Sequence, residues 1–292
     1  QPENARYYNI LSITLHAMKR YEEALAAAQK AVAIEPENAR YHNSLGVTLH
    51  EMKRYKEALS AKQKAVAIEV ENAEYHNSLS NTLHAMKRYD EALAAVQRAV
   101  SIEPENARYH NSLGVTLHAM KRYEEALAAK QSAVAIEPQN AKYHNSLSST
   151  LHAMKRYDEA LAAVQRAVSI EPENAEYHNS LSNTLHAMKR YDEALAAVQS
   201  AVAIEPQNAE YHNSLSNTLH AMKRYDEALA AVQRAVSIEP VNARYHNSLG
   251  VTLHAMKRYD EALAAKQKAV VLEPENKQYR DSRDLTLRAM KH

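Results

Sequence analysis

The sequence has no Cys, no Trp and no Phe, and only three of its 292 residues are Gly. Without Cys there is no disulfide framework, no thiolate metal site and no Cys nucleophile. Three Gly are too few for a glycine-rich nucleotide loop. No apolar run approaches the ~18 residues of a membrane span, and no charged-then-apolar leader is present. We therefore expect a soluble, cytoplasmic protein without a cofactor.

The charges nearly cancel, since 36 Lys and Arg stand against 35 Asp and Glu. This balance favours neither a nucleic acid nor a membrane as partner. Lys53-Arg54 pairs recur along the chain, but acidic residues such as Glu57 follow each pair closely. No aromatic residue interleaves the pairs as single-strand nucleic-acid binders require. Cations at the C-terminal ends of helices explain the pairs better.

The dominant feature is a strict internal repeat of 34 residues. The segment 35–68 recurs without an insertion, and a looser copy precedes it. A period of this length takes precedence over any domain assignment from chain length. We predict a repeat array over 1–272 and a polar capping helix over 273–292. The predicted repeats are 1–34, 35–68, 69–102, 103–136, 137–170, 171–204, 205–238 and 239–272.

Each copy predicts two amphipathic helices. Asn38 is a good N-cap for the first helix. Tyr41, Leu45 and Leu49 follow with the spacing of one helical face. A Lys-Arg pair then breaks the pattern, and a second amphipathic segment begins at Tyr55. We therefore expect an all-α chain of antiparallel helix pairs.

The 34-residue helix–turn–helix period resembles the tetratricopeptide repeat (TPR) family. In the second copy, Leu45-Gly46, Ala58 and Ala65 fall where the family has its Leu-Gly pair and its small helix-crossing residues. The family's turn glycine is replaced by Lys, as at Lys53. The resemblance implies a right-handed superhelical solenoid whose first helices line a concave groove. It also implies a non-catalytic scaffold that binds a peptide or a partner protein.

Arg40, Asn43, Val47 and His50 have the spacing of one stripe opposite the packing face of the first helix. By the family's geometry this stripe faces the groove, and three of its positions form columns along the array. The Asn column contains Asn43, Asn77, Asn111, Asn145, Asn179, Asn213 and Asn247. The His column contains His50, His84, His118, His152, His186, His220 and His254. The charged column contains Arg40, Glu74, Arg108, Lys142, Glu176, Glu210 and Arg244. We predict that these residues contact an extended peptide or a partner protein.

A ladder of Asn has a physical use, because a carboxamide can pair with both groups of a peptide backbone. The ladder resembles the asparagine array of the sugar-transferring TPR enzyme, although it lies one residue earlier here. The alternative is that these are solvated polar residues, repeated because the copies are near-identical. A second TPR subclass grips carboxylates with a Lys and an Asn one turn apart. Asn81, Asn183 and Asn217 hold one position, but the required Lys is Asn in each case.

The sixteen His residues invite a metal hypothesis. The two columns that begin at His42 and His50 lie eight residues apart, which is not the i, i+4 spacing of two ligands on one ion. Adjacent first helices, ~10 Å apart, are too distant for their rings to share Zn²⁺. We therefore expect no metal, and an inter-repeat packing role for the His42 column. Protonation below pH 6 is expected to lower stability or ligand binding.

The two ends of the array differ from its middle. Tyr8, Ile10 and Ile13 stand where later copies have His, Ser and Val. We expect either that further sequence packs ahead of Gln1 or that this apolar end self-associates, the alternative being that it folds over its own hairpin. In the last half-copy Arg283-Asp284 replaces the Leu-Gly pair, which suits a solvated cap.

Two repeat subtypes alternate irregularly. Copies with Gly46, Gly114 or Gly250 carry Lys at 62, 130 and 266, whereas copies with Ser80, Ser182 or Ser216 carry Val at 96, 198 and 232. The covariation either records duplication or varies the groove.

The leading hypothesis for the function is a peptide-binding scaffold or sensor region. The alternatives are a purely structural or self-assembling array, engineered or duplicated, and the regulatory arm of a larger signalling protein or enzyme. We expect no catalysis by this chain, because Ser, His and acidic residues occur in identical arrays and not in one asymmetric pocket.

Overall fold

The computed structural model describes residues 4–290, and this range is a series of α-helices without a strand. The predicted all-α fold of helix pairs is confirmed. The first helices of the pairs are α1 (Ala5–Ala17), α3 (Ala39–Glu51), α5 (Ala73–Ala85), α7 (Ala107–Ala119), α9 (Ala141–Ala153), α11 (Ala175–Ala187), α13 (Ala209–Ala221), α15 (Ala243–Ala255) and α17 (Lys277–Ala289). The second helices are α2 (Tyr21–Ile34), α4 (Tyr55–Ile68), α6 (Tyr89–Ile102), α8 (Tyr123–Ile136), α10 (Tyr157–Ile170), α12 (Tyr191–Ile204), α14 (Tyr225–Ile238) and α16 (Tyr259–Leu272).

The helices form two compact units, the first ending at Ser146 and the second beginning at Leu147. The predicted array start at residue 1 and the predicted end at residue 292 lie outside the described residues. None of the helices within 4–290 is both long and apolar enough to cross a membrane.

A three-residue turn reverses the chain within each pair. After α3, Lys53 N donates to His50 O at 2.8 Å. Arg54 N donates to Leu49 O at 2.9 Å, which completes a Schellman motif. Lys53 has a φ of 59°, and its equivalents have φ of 59–61°. Lys therefore takes the left-handed conformation that glycine adopts most readily, at a cost of roughly 1–2 kcal/mol per turn.

Asn residues precede the first helices and cap them. Asn72 Oδ1 accepts from Tyr75 N at 3.3 Å, and Asn174 Oδ1 accepts from Glu176 N at 3.1 Å. Asn38 itself is an exception, because its side chain makes no capping bond. The Asn38 amide donates to the carboxylate of the loop residue three positions earlier, at 3.0 Å. The predicted capping is therefore wrong at Asn38 and right at these two equivalents.

Within a unit, consecutive helix pairs pack on one another through a Tyr that covers two Ala. Tyr75 of α5 lies on Ala39 of α3 and Ala65 of α4, and all three residues are buried. Ala allows close helix approach, and the ring supplies a large apolar area. The same arrangement recurs at Tyr41, Tyr109, Tyr143, Tyr211 and Tyr245.

A second apolar layer lies nearer the turns. Leu59 of α4, Leu83 of α5 and Ala92 of α6 form a buried cluster, and Met86 packs against it. This layer combines three helices from two consecutive pairs. A pair therefore completes its core only by stacking on its neighbour.

The Gly and Lys that covary in the sequence are in contact. A Cβ added to Gly46 would lie 2.5 Å from Lys62 Cγ and 3.2 Å from Ala58 O. The Lys62 stem therefore needs the space that Gly leaves open. Lys62 is 3% exposed, and its Nζ donates to Ser78 O of the next pair at 2.9 Å. Burial lowers the pKa of Lys62 to about 8, so the ammonium is still charged at neutral pH.

Copies with Ser and Val make a different polar contact. Ser182 Oγ donates to Ala194 O at 2.8 Å, within its own helix pair. Val198 occupies the place of the Lys and is fully buried. Lys62 thus links two successive pairs, whereas Ser182 links the two helices of one pair. Steric exclusion between the two positions explains why the residue types covary.

The apolar side chains of α1 are unusually exposed. Tyr7 is 57% exposed, whereas Tyr41, its equivalent in α3, is 6% exposed. Ile10 and Ile13 are 52% and 46% exposed. Tyr8 is half-buried, with Lys30 Nζ 5.3 Å from its ring centroid. Three of these four side chains are therefore not covered by their own hairpin.

At the other end, α17 packs through Tyr279 on Ala243 and Ala269. Arg283 and Asp284 form an ion pair at 2.7 Å. The surface of this helix is mixed and not uniformly polar, because Leu285 is also exposed.

We predict strong coupling between Gly46→Ser and Lys62→Val. Gly46→Ser alone places a Cβ atom against the Lys62 stem and should lower the free energy of unfolding by about 1–3 kcal/mol. The double variant recreates the Ser-Val combination found elsewhere in the chain and should recover at least half of that loss. Urea denaturation of the wild type, both single variants and the double variant gives the coupling free energy. Strict additivity would show that the contact does not constrain the two positions.

Candidate functional site

Within each unit, consecutive first helices lie against one another: α1, α3, α5 and α7 in the first unit, and α11, α13, α15 and α17 in the second. The outward side chains of these helices and of α9, which packs on α7 through Tyr143 and borders α11 through Ser149, form a surface that we call the first-helix face. On α3 the accessible residues Arg40, Ser44, Val47 and Glu51 follow the spacing of a single helical stripe. The face therefore combines a charged position with short uncharged side chains.

The predicted charged column lies on this face. Arg244 Nη2 is 3.8 Å from Glu210 Oε1, and the Arg108 guanidinium lies 5.1 Å from the Tyr109 ring centroid. Exposed contacts of this kind are weak, so these charges remain accessible to a ligand. All seven residues of the column are exposed: Arg40, Glu74, Arg108, Lys142, Glu176, Glu210 and Arg244.

The predicted Asn column is largely enclosed by the packed helices. Asn43, Asn77, Asn145, Asn179 and Asn213 are buried, and Asn111 and Asn247 are half-buried. The following Oδ1 atoms are enclosed and accept no hydrogen bond from the described residues: those of Asn43, Asn77, Asn111, Asn179, Asn213 and Asn247. An unsatisfied acceptor costs about 1–3 kcal/mol. Helix packing thus keeps these oxygens out of a peptide's reach, and contact through the rest of each side chain stays a prediction.

The predicted His column is half-buried and faces the next first helix. His50 Nδ1 lies 3.0 Å from Thr82 Oγ1, and its ring meets Tyr55 edge-on with centroids 5.2 Å apart. Burial lowers the pKa of the column members, and the charge of Lys62 lowers that of His50 further. These rings are therefore neutral at pH 7. The shift applies to His50, His84, His118, His152, His186, His220 and His254.

A buried polar chain connects one of these His residues with a buried Lys. Lys266 Nζ donates to Thr286 Oγ1 at 2.8 Å and to Ser282 O at 3.0 Å. The same Thr286 oxygen lies 3.0 Å from His254 Nδ1. The chain runs from α16 through α17 to α15, so it belongs to the stacking contact between pairs.

The His residues of the His42 column hydrogen-bond the loop that precedes their own first helix. His42 Nε2 donates to Pro36 O at 2.7 Å, and His178 Nε2 donates to Pro172 O at 2.7 Å. In α17, Arg280 takes this place and donates to Pro274 O. The column therefore holds the loops between pairs by hydrogen bonds. The sequence pattern predicted that it packs between repeats.

Another column on the face was not among the predicted contacts. It occupies the position of Val47, four residues after the Asn column, and its residue type varies. Asn81, Asn183 and Asn217 are exposed there, and Val115 and Val251 are exposed apolar residues. Variability within near-identical copies was the available signal. The members are Ile13, Val47, Asn81, Val115, Ser149, Asn183, Asn217, Val251 and Leu285.

A pocket of about 180 Å³ opens in this face in the second unit. It lies between the C-terminal half of α9 and α11. Its lining consists of Ser148, Ser149, His152, Ser180, Asn183 and Thr184. Asp, Glu, Lys and Arg do not occur in the lining.

The remaining candidate sites offer little chemistry. Residues 4–290 contain no group of three or more His, Asp or Glu that could hold a metal ion. The recurrent turn arginines are engaged locally: Arg54 Nε and Nη2 donate to Glu57 Oε1 and Oε2 at 2.7 and 2.6 Å. These pairs are exposed and weak, but they occupy the guanidinium groups that an anion would need.

We predict that acidification from pH 7.5 to 5.5 lowers the melting temperature. The pKa of the His50 column is below its ordinary 6.5 in the folded chain, which therefore binds fewer protons than the unfolded chain. Stability present above pH ~6.5 is lost as the pH falls through the folded-state pKa. Replacing His186 and His220 by Gln should reduce the change of melting temperature with pH.

The matched control replaces His178 and His212 by Arg, the residue that makes the same loop contact in α17. The melting temperature of this control should change with pH as much as that of the wild type. A melting temperature unchanged across this pH range in the wild type would contradict the prediction.

Family models described as tetratricopeptide repeat match residues 83–150, 117–184, 151–218, 185–250 and 243–276, and a TPR repeat model matches 14–53. None of the curated proteins matches the sequence. Among solved structures, the APC/C hetero-tetramer Cut9–Hcn1 aligns with a TM-score of 0.72 and 15% identity, covering 94% of this chain and 54% of that chain. This chain thus spans about half of that chain's length.

Two further solved structures are similar. A tetratricopeptide repeat protein from Parabacteroides merdae has a TM-score of 0.70 and 13% identity, covering 85% of this chain and 98% of its own. YrrB, a TPR protein with an unusual peptide-binding site, has a TM-score of 0.51 and 22% identity, covering 68% of this chain and 99% of its own. At identities this low, the structural similarity establishes a shared fold and nothing more specific. The family models, which match more than half of the residues, show that the chain belongs to the tetratricopeptide repeat family.

Proposed function

We propose that the first-helix face binds an extended segment of a partner protein and that the chain acts as a non-catalytic scaffold or sensor region. Proteins of this family generally mediate protein–protein interactions and are typically not catalytic. The observation that supports this use of the face is a pair of exposed carboxamides in the column of Val47. Asn183 and Asn217 lie on neighbouring first helices and are both exposed.

The geometry suits a polypeptide in extended conformation. Neighbouring packed helices lie 8–10 Å apart, and an extended chain advances ~3.3 Å per residue. The carboxamides of Asn183 and Asn217, on two neighbouring first helices, therefore meet the ligand backbone about three residues apart. Each carboxamide can donate to a carbonyl and accept from an N–H. From the sequence, this role is expected of Asn179 and Asn213, but their oxygens are enclosed. We assign the role to Asn183 and Asn217, which lie beside the charges of Glu176 and Glu210.

We predict that Asn183→Ala with Asn217→Ala weakens peptide binding about tenfold, because two net hydrogen bonds of roughly 0.5–1.5 kcal/mol are lost. Peptides selected from a random library on the wild type serve as ligands, and fluorescence anisotropy measures their affinity. The matched control is Gln199→Ala with Gln233→Ala, which removes two exposed amides from second helices. Equal effects of the two double variants would contradict binding on the first-helix face.

A second candidate is a self-associating structural array, and the exposure of Tyr7, Ile10 and Ile13 favours it. We predict concentration-dependent assembly that Ile10→Ser with Ile13→Asn abolishes, since other copies carry Ser and Asn at these positions. Sedimentation velocity at rising concentration provides the measurement. A wild-type chain that stays monomeric throughout would exclude this candidate. Neither candidate conflicts with a role as regulatory arm of a larger protein.

A further inference from the structure

The pocket between α9 and α11 coincides with the smallest side chain of its column. Ser149 stands where the equivalent residues are Ile, Val, Asn or Leu. A longer side chain at 149 would project into the space that His152, Ser180 and Asn183 border. The depression is therefore a consequence of one sequence difference among near-identical copies.

The lining is polar but uncharged. Asn183 is exposed and offers an amide N–H and a carbonyl oxygen. His152 is half-buried, and burial lowers its pKa, so the ring is neutral and offers one donor and one acceptor. Thr184 Oγ1 donates to Ser180 O at 3.0 Å, which leaves its oxygen as an acceptor. Donors and acceptors thus converge on one small space.

This chemistry discriminates between classes of side chain. A carboxylate or an ammonium would lose hydration without meeting an opposite charge. An apolar side chain would cover Asn183 and His152 without satisfying their hydrogen bonds. A carboxamide carries both a donor and an acceptor, and pairs with Asn183 in both directions.

We propose that this pocket is a specificity subsite that accepts an Asn or Gln side chain of the bound polypeptide. The proposal rests on peptide binding to the first-helix face and adds a selection rule to it. Ser149 provides the space, while Asn183 and His152 provide the hydrogen bonds.

The first experiment varies one ligand position at a time. A library-selected peptide is substituted at each position with Gln, Glu, Met and Lys. At one position Gln should bind roughly tenfold more tightly than Glu or Met, which have similar size, because a site built for hydrogen bonds rejects groups that cannot make them. Binding without such a position would overturn the subsite and leave peptide binding intact.

The second experiment fills the pocket. Ser149→Val, which matches Val47 and Val115, should remove the Gln preference while the Glu and Met peptides retain their wild-type affinity. The control is Val251→Ser, made on the same face away from the pocket, and it should leave the preference unchanged. An unchanged Gln preference in Ser149→Val would overturn the assignment.

A third variant moves the pocket. Ser149→Asn with Asn183→Ser builds the same lining one repeat later, with His186, Ser214 and Asn217 in place of His152, Ser180 and Asn183. The preferred Gln should then shift by about three ligand residues. A preference that vanishes altogether, with the helical content unchanged by circular dichroism, would contradict the role given to these side chains.

Acetamide provides a readout that does not depend on a peptide ligand. Crystals of the wild type and of Ser149→Val are soaked in acetamide. If no library peptide binds, acetamide in the wild-type pocket and not in the variant supports the subsite although the proposed function fails. An empty wild-type pocket in that case overturns both proposals.

Discussion

The contact between consecutive helix pairs governs this structure, and its centre is a Tyr ring laid over two Ala. Tyr75 needs Ala39 and Ala65 because a larger residue at either place would hold the helices apart. Since a pair buries its apolar surface only against its neighbours, the contact has to recur with the period of the repeat. It occupies one side of each first helix and leaves another side free to carry a surface whose residues vary.

Variation inside the stack obeys a different rule from variation on the face. Gly46 and Lys62 change together because their atoms would otherwise overlap, and Ser with Val is the other solution that the chain uses. Where the residues are Gly and Lys, the buried ammonium donates a hydrogen bond to the next pair. Where they are Ser and Val, the Ser hydroxyl donates within its own pair. Val47 accompanies Gly46 in sequence but is an accessible residue of the first-helix face. The face and the stacking contact are therefore separable targets for substitution.

Much of the fold was predictable, because its determinants are local and recur. The apolar stripe through Tyr41 and Leu49 follows from a 3.6-residue period. The Asn before each first helix marks where that helix begins, although the Asn38 side chain makes no capping bond. The division into eight repeats remains our proposal. The candidate site was predictable in part. Its charged column is exposed as expected, but the Asn43 column is mostly enclosed, and the column of Asn81 and Ser149 was passed over as a contact surface.

The sequence alone determined the period, the all-α class and the charges on the face, since these depend on residue type and local spacing. Only the tertiary structure decided which polar column reaches solvent. Asn77 and Asn81 lie four residues apart, only about 40° around the same helix, yet Asn77 is buried and Asn81 is exposed. The packing of Tyr and Leu between pairs sets which side of each first helix is covered. The same packing places the short Ser149 side chain beside His152 and Asn183, and it brings the Lys62 stem against Gly46.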